Sequence, residues 1–266
     1  MNVDTGSTVR GTAARLEDHP VLTVGARLGY AASGLLHLVL GWIAVSLAWG
    51  TGGGQESADQ SGALEQLGST SVGAVLLWVI VVGFALLTLW QVATAVTTHE
   101  TKDRVKAAGK AVTYLVLTGL AAGVATGSSG GGGSEQTTSL TARVMENPLG
   151  QVAVGLAGVG VVVVGGYHVV KGWKEKFLED LQGHPGRAVV VAGRVGYVAK
   201  GVALGIVGIL FVLAAATNDP EEAQGLDGAL RTLLELPLGT ALLTAVGLGI
   251  AAYGVYSFGR ARYAKV

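Results

Sequence analysis

Five basic residues recur at matching places in this sequence and are its first candidates for chemistry. Arg27, Arg104 and Arg194 each stand at the start of a long apolar run, and Lys110 and Lys200 each follow such an arginine by six residues. Six residues of α-helix advance the chain by about 9 Å. If these side chains face one axis, they form a funnel of five positive charges suited to an anionic solute or a lipid headgroup. The alternative is that the arginines anchor helix ends and the lysines extend to the membrane surface along their apolar stems.

Two further polar residues, His37 and Tyr114, lie at equivalent places inside apolar runs. His37 is a candidate proton-sensitive or ligand-binding group, and the alternative is a neutral imidazole that hydrogen-bonds to a neighbouring helix. The histidines lack zinc-ligand spacing, the apolar runs contain no Asp or Glu in their interiors, and the chain has no cysteine. These features disfavour metal binding, proton coupling through a carboxylate, and thiolate chemistry. We therefore predict no catalytic residue, no metal and no cofactor, and we do not expect an enzyme.

The elements that must position these residues are six apolar runs, each long enough to cross a membrane. Half of the 266 residues are hydrophobic, 14% are charged and the mean hydropathy is +0.53, whereas about 25% of the residues of a soluble domain are charged. About 20 apolar residues cross the hydrocarbon core as an α-helix. We therefore predict an all-α, polytopic membrane protein whose six transmembrane helices occupy residues 24–49, 72–96, 107–125, 149–170, 189–216 and 238–258.

The charged residues are segregated along the chain. The N-terminal tail, the loops after spans two and four, the adjoining helix ends and the C-terminal tail hold 16 of the 18 Lys and Arg residues. The loops after spans one, three and five hold only Arg143 and Arg231, against ten Asp and Glu residues. Because basic loops stay on the cytoplasmic side, we predict a protein of the cytoplasmic membrane with both termini inside. Residues 1–23 are expected to be a disordered, polar cytoplasmic tail.

The chain is one two-helix unit written three times. Sliding the sequence by 77 residues places Arg27 on Arg104, and a slide of 167, falling to 166 after one deletion, places Arg27 on Arg194. The predicted repeats are residues 24–100, 101–180 and 181–266, within one membrane domain of residues 24–266. All three units cross the membrane in the same sense, which favours a pseudo-threefold bundle with its axis along the membrane normal.

Each outer connection is predicted to contain a short interfacial helix. Ser61, Thr138 and Asp227 occupy equivalent positions in the three repeats and are residue types that favour helix N-caps. Leu226, Leu230 and the apolar residues that follow have helical spacing in the third connection.

The repeated motifs resemble those of a bacterial membrane family known as domain of unknown function 1206. They are RLGYAASG and RVGYVAKG at the starts of repeats one and three, SGALEQL and DGALRTL in the outer connections, and PLG before a returning helix. The resemblance covers residues 25–263 and implies a six-helix protein without an established activity. Repeat two departs most, with Lys106 where the motif has glycine and Ala107 where it has tyrosine.

Two functions from different classes fit these observations. The first is a structural or accessory membrane component that acts through helix packing, membrane lipid, protein partners or a homo-oligomer. The alternative is an anion-preferring transporter or channel for small solutes, with a basic cytoplasmic vestibule. No nucleic-acid partner is predicted.

Overall fold

The chain forms nine α-helices within the residues that the structure describes, which are 20–51, 58–69, 71–98, 100–127 and 133–265 of this computed structural model. Six long, apolar helices cross the membrane and confirm the predicted spans. They are α1 (Pro20–Ala48), α3 (Ser71–Thr97), α4 (Thr101–Ala125), α6 (Pro148–Trp173), α7 (Arg187–Thr217) and α9 (Gly239–Tyr263). Three short helices join them in pairs: α2 (Gln60–Gly68), α5 (Gly133–Met145) and α8 (Leu226–Glu235).

The two ends of the bundle differ in charge. α1 begins and α9 ends at the basic end, which also carries the loop between α6 and α7 with its 3-10 helix Lys176–Asp180. The opposite, acidic end carries α2, α5 and α8. Most of the predicted polar tail lies outside the described residues, and α1 begins at Pro20.

The six spans pack side by side in the order α6, α7, α9, α1, α3 and α4. The row therefore begins and ends with the two spans of repeat two. It would close into a ring only through α4 and α6, and these two fully described helices make no extensive contact. We call the gap between them the seam, and we assign its walls to residues 106–113 of α4 and 157–167 of α6 because the equivalent positions of α7 and α9 meet in repeat three. The three predicted repeats are present, and repeat two is the one whose own helix pair has separated.

Glycines at a seven-residue spacing hold α6 and α7 together. Gly165 and Gly201 lie face to face, and a Cβ placed on Gly165 would be 2.7 Å from the carbonyl oxygen of Gly201. Such an approach is possible only without side chains, and it gives dispersion contact between helix backbones in lipid. The same relation holds between Gly158 and Gly208 one level further along.

The contact between α9 and α1 uses the same register, as threefold symmetry requires. A Cβ on Gly41 would lie 2.6 Å from the carbonyl oxygen of Gly247, and a Cβ on Gly254 would lie 2.8 Å from that of Gly34. The third equivalent contact, between α3 and α4, has Thr88 where α6 has Gly165, and it is less extensive. The contact between repeats one and two, through α3 and α4, is therefore less extensive than the contacts of α6 with α7 and of α9 with α1.

The short helices close the acidic end, although their capping differs from the prediction. Asp59 is the N-cap of α2 and accepts a hydrogen bond from the Gly62 N–H at 3.0 Å, so Ser61 lies inside the helix. Asp227 also lies inside its helix, where its carboxylate accepts from the Ala58 N–H at 2.7 Å and from Arg231 Nε at 2.9 Å. The predicted N-cap roles of Ser61 and Asp227 are therefore wrong. The N-cap is Asp59 in α2 and Gly225 in α8. Thr138 likewise lies inside α5, which begins at Gly133.

Large aliphatic side chains fill the interior towards the acidic end. Leu40, Ile43, Ile80 and Leu243 are at most 2% exposed and belong to one continuous cluster. This cluster extends to Leu230 of α8. The interior between the spans is therefore packed with apolar side chains towards the acidic end, where the buried acids Asp59 and Asp227 belong to the short connecting helices.

Candidate functional site

Arg260 lies at the centre of the polar interior in the basic half. It sits in the last turn of α9, with its guanidinium carbon 4.3 Å from the centre of the Tyr30 ring. Its Nε atom is buried and makes no hydrogen bond within the described part of the chain. Burial of an unpaired guanidinium donor is costly, and such a group calls for an acceptor.

Arg260 lies beside a group of aromatic residues that we call the tyrosine cage: Tyr30, Tyr197, Tyr253, Tyr256 and Phe177. Tyr197 contacts three of the other rings, with its ring centroid 5.2 Å from that of Tyr253, 5.4 Å from that of Tyr256 and 5.5 Å from that of Phe177. These distances are those of favourable edge-to-face and offset aromatic pairs. The cage gives the guanidinium cation–π contact and a rigid, amphipathic surrounding.

The loop between α6 and α7 brings the one acidic member, Asp180, to this site. Leu181 and Ala264 form an antiparallel bridge, and the Gln182 N–H donates to the Tyr263 carbonyl at 2.6 Å. Phe177 is fully buried in the same loop and fills the space left open at Gly193. The loop is thus fastened both to the C-terminal segment and to the cage.

Asp180 pairs with Lys171 at the end of α6. The Lys171 Nζ donates to Asp180 Oδ2 at 2.6 Å, with side-chain exposures of 14% and 28%. Burial acts to raise the pKa of the Asp180 carboxyl, and the positive charges of Arg260 and Lys171, with the Lys171 hydrogen bond, outweigh it and hold the pKa below its usual value. The carboxylate therefore stays ionised and balances part of the positive charge.

His37 and Lys200, which the sequence analysis treated separately, meet in the middle of the bundle. His37 Nδ1 lies 2.7 Å from the Ser33 carbonyl, which can only accept, so Nδ1 carries the proton. Its Nε2 then presents a lone pair to Lys200 Nζ, 3.5 Å away. Lys200 also lies 4.5 Å from the centre of the Tyr253 ring, and His37 stacks on that ring with 4.7 Å between centroids. The structure thus contains a neutral imidazole in contact with a lysine of another helix.

The other predicted candidates lie around this core. Lys110 is exposed on α4, within range of the charges of Arg260, Asp180 and Lys171. Tyr114 stacks on Phe84 with 6.1 Å between ring centroids. We call Arg260, Lys171, Lys110 and Lys200 the basic cluster.

The three predicted arginines remain at the surface. Arg27 and Arg104 are exposed, and Arg194 lies over the Trp173 ring with Glu175 3.7 Å away. The structure therefore brings Lys200 of the predicted funnel into the interior, and leaves Lys110 and the three arginines exposed. Anion binding by the predicted five-residue set stays a prediction.

Three residues of this site, Arg260, Lys171 and Asp180, were not predicted from the sequence. Arg260 follows Tyr256 by four residues, and Lys171 follows the equivalent Tyr167 by four. An aromatic residue and a base at this spacing share one helix face, so the repeat alignment could have found both bases. Nothing in the sequence marks Asp180, because its position depends on the bridge to the C-terminal segment.

The arrangement can bind an anion. The basic cluster carries four positive charges and Asp180, which pairs with Lys171, carries one negative charge, so three positive charges are in excess. The surrounding tyrosine hydroxyls, the ammonium groups and Arg260 Nε are hydrogen-bond donors. A phosphate or carboxylate group supplies the acceptors and the negative charge that this site lacks.

Comparison with known proteins agrees with the threefold repeat. The profile of the family described as Domain of Unknown Function (DUF1206) matches three times, at residues 28–98, 105–175 and 195–264. The chain is 30% identical over 260 residues to the uncharacterized protein YxxB of Bacillus subtilis (strain 168), covering 93% of each chain. No solved structure matches the chain significantly. This multi-pass membrane protein with three two-helix repeats belongs to the Domain of Unknown Function (DUF1206) family.

Proposed function

We propose that this protein is a non-enzymatic, anion-binding component of the cell membrane. Its ligand is a molecule with a phosphate or carboxylate group, held by the basic cluster inside the tyrosine cage. The observation that carries the proposal is the buried, unpaired Nε of Arg260 within a cluster that has three positive charges in excess.

The basic end faces the cytoplasm in this proposal. The distribution of basic residues supports this orientation, because 16 of the 18 Lys and Arg residues belong to that side. Both termini are then cytoplasmic, and the anion reaches the site from the cytoplasmic side of the membrane. The negative surface potential of that leaflet favours basic residues there.

An accessory, binding role fits better than conduction. Leu40, Ile43, Ile80 and Leu243 fill the acidic half, and a packed apolar core presents no polar path for an ion. Membrane lipid is the immediate partner of the outward faces, and protein partners or a second copy would act through those faces.

An anion-preferring transporter is the second candidate. The observation that favours it is the presence of cations at two depths, Arg260 in the last turn of α9 and Lys200 beside mid-span His37. Transport would require the apolar core to open, whereas binding requires no rearrangement.

The experiment is thermal unfolding of the purified protein in an uncharged detergent, with inorganic phosphate added against chloride at constant ionic strength. A ligand that binds only the folded state at a hundred times its Kd stabilises it by about 2.7 kcal/mol. We expect phosphate to raise the unfolding temperature of the wild type, and to raise it much less in Arg260→Gln and Lys200→Met.

Arg262→Gln is the matched control, because Arg262 lies two residues away on the same helix and is exposed. It should keep the full response to phosphate. A wild type that does not respond, or an equal response in Arg260→Gln and Arg262→Gln, would contradict the proposal.

A further inference from the structure

We propose that the seam between α4 and α6 is a lateral opening through which an anionic phospholipid places its headgroup at the basic cluster. This inference rests on the proposed function and names the chemical class of the ligand. The seam opens towards the surrounding bilayer, because α4 and α6 are the two ends of the row of spans. They are also the least buried spans, with 17% of each buried inside the protein.

One residue difference in repeat two lies at a position where the helix pairs of the other two repeats approach each other most closely. In repeat three, Gly196 lies so close to α9 that a Cβ would be 2.5 Å from the Cα of Tyr253. In repeat one, a Cβ on the equivalent Gly29 would be 2.7 Å from the carbonyl oxygen of Gly83. Repeat two has Lys106 at this position, and no lysine fits within such a distance of a neighbouring backbone. The helix pair of repeat two is therefore held apart.

Exposure along α6 confirms that its inner face has lost a partner. Val164 is 47% exposed, whereas the equivalent Leu87 and Tyr253 are 0% and 8% exposed. Tyr167 is 52% exposed, whereas its equivalent Tyr256 is fully buried. Positions that are interior in repeats one and three are thus open in repeat two.

Two glycines leave the middle of the seam unobstructed. Gly109 of α4 and Gly160 of α6 correspond to Ala199 and Gly249, which contact each other in repeat three. A Cβ on Gly109 or Gly160 would meet no atom of the described residues within 4 Å. The seam therefore has room along its length where the other repeats are packed.

The chemistry of the seam matches an anionic phospholipid. Its basic end carries Lys106 and Lys110, two exposed lysines one turn apart on α4 and within range of the Asp180 carboxylate. Lys106 also pairs with Asp103 at 2.8 Å, a half-exposed surface contact that is weak and easily exchanged. Its remaining length is apolar, with Val164 and the open Gly160. Positive charge at the membrane boundary with an apolar channel beneath it suits a phosphate headgroup and an acyl chain.

The test is lipid retention by the full-length protein in nanodiscs of phosphatidylcholine with a minority of phosphatidylglycerol. After gentle extraction, native mass spectrometry gives the ratio of the two lipids bound to the protein. We expect enrichment of phosphatidylglycerol, and an about tenfold smaller enrichment in Lys106→Gln, since a direct hydrogen bond between a lysine and a charged headgroup contributes about 1.5 kcal/mol. Lys102→Gln removes an exposed lysine one turn away on α4 and should leave the ratio unchanged.

A second pair of variants tests the opening itself. Gly160→Leu fills the seam and should abolish the enrichment. Gly166→Leu is the matched control, because Gly166 lies on the same helix, has no neighbour within 4 Å and corresponds to lipid-facing Leu89 and Val255. Both variants should fold, since neither position is crowded.

The outcomes separate this inference from the proposed function. If phosphate stabilises the protein but phosphatidylglycerol is not enriched, or if Gly160→Leu retains lipid as Gly166→Leu does, the anion is a soluble one and the seam inference is overturned. If Gly160→Leu loses lipid but keeps its response to inorganic phosphate, the seam is the route of the lipid to an intact anion site. If neither lipid enrichment nor phosphate stabilisation is found, the proposed function itself is contradicted.

Discussion

Adding one methyl group to Gly165 should separate α6 from α7, whereas the same change at the neighbouring Gly166 should not. A Cβ on Gly165 would lie 2.7 Å from the Gly201 carbonyl oxygen and 2.8 Å from the Gly205 nitrogen. Both are backbone atoms and cannot rotate away. A Cβ on Gly166 would have no neighbour within 4 Å.

The size of the effect follows from this geometry. Ordinary contact begins at 3.4 Å, so the helices must separate by the shortfall of 0.7 Å at this level. Overpacking a close contact costs about 1–3 kcal/mol. Alanine is favoured over glycine within a helix by about 1 kcal/mol, and this gain is common to both variants. The difference in the free energy of unfolding between Gly165→Ala and Gly166→Ala therefore isolates the steric cost.

The measurement is reversible unfolding of both variants in the same detergent. We expect Gly166→Ala to be as stable as the wild type or slightly more stable. We expect Gly165→Ala to be less stable than Gly166→Ala by about 1–3 kcal/mol, which is roughly a 5- to 150-fold change in the ratio of folded to unfolded protein.

Equal stability of the two variants would refute the reasoning, because it would mean that the glycine register does not set the distance between α6 and α7. A second pair of variants, on the facing helix, tests the same reasoning independently. On α7, Gly201→Ala faces the Gly165 carbonyl oxygen at 2.6 Å, and Gly205→Ala meets no atom within 4 Å. The same difference in stability should appear between these two variants.

Two further predictions concern charged groups outside the spans. Since the pKa of Asp180 is held below its usual value, the stability that its carboxylate contributes is complete above the unfolded value of about 4 and is lost as the pH falls through the lower folded value. Asp180→Asn should lower the free energy of unfolding by about 2 kcal/mol at neutral pH, and thermal unfolding at a series of pH values should show that it loses less stability on acidification than the wild type. The neighbouring exposed Glu179→Gln should behave as the wild type. If Asp180→Asn loses as much stability on acidification as the wild type, the pair with Lys171 is contradicted. At the acidic end, Asp227→Ala should lower the free energy of unfolding by about 1–3 kcal/mol because it removes the acceptor of the buried Ala58 N–H. The exposed control Glu235→Ala should not. Equal unfolding temperatures for these two variants would contradict the role of Asp227 as the acceptor.

Much of the architecture could be predicted from the sequence. The length and polarity of the apolar runs are sufficient to predict six spans, because a lipid core admits only a helix of that length with its backbone hydrogen bonds satisfied internally. The slide of 77 and 167 residues predicts three equivalent units, and the interfaces of Gly165 with Gly201 and of Gly254 with Gly34 do share one register.

The short outer helices were predicted, but their capping was not. An acid such as Asp59 or Asp227 can cap its own helix or accept hydrogen bonds from another element, and local sequence does not distinguish these uses. The Ala58 N–H that Asp227 binds is 169 residues away along the chain. The packing of α8 against the start of α2 determines that Asp227 accepts a hydrogen bond from another element and does not cap its own helix.

The sequence by itself determined that this chain is a six-span, three-repeat membrane helix protein with basic residues concentrated at one end, because hydropathy, charge and internal repetition are properties of composition and order. Only the tertiary structure decided which bases enter the interior. Arg260 reaches the tyrosine cage and Arg194 lies outside over Trp173, although both are arginines near a span end. The direction of a helix face depends on how neighbouring helices pack. Lys106 connects the sequence with the tertiary structure. Its presence can be read from the sequence. Its effect on the distance between α4 and α6 is inferred only from how closely Gly29 and Gly196 approach their partner helices.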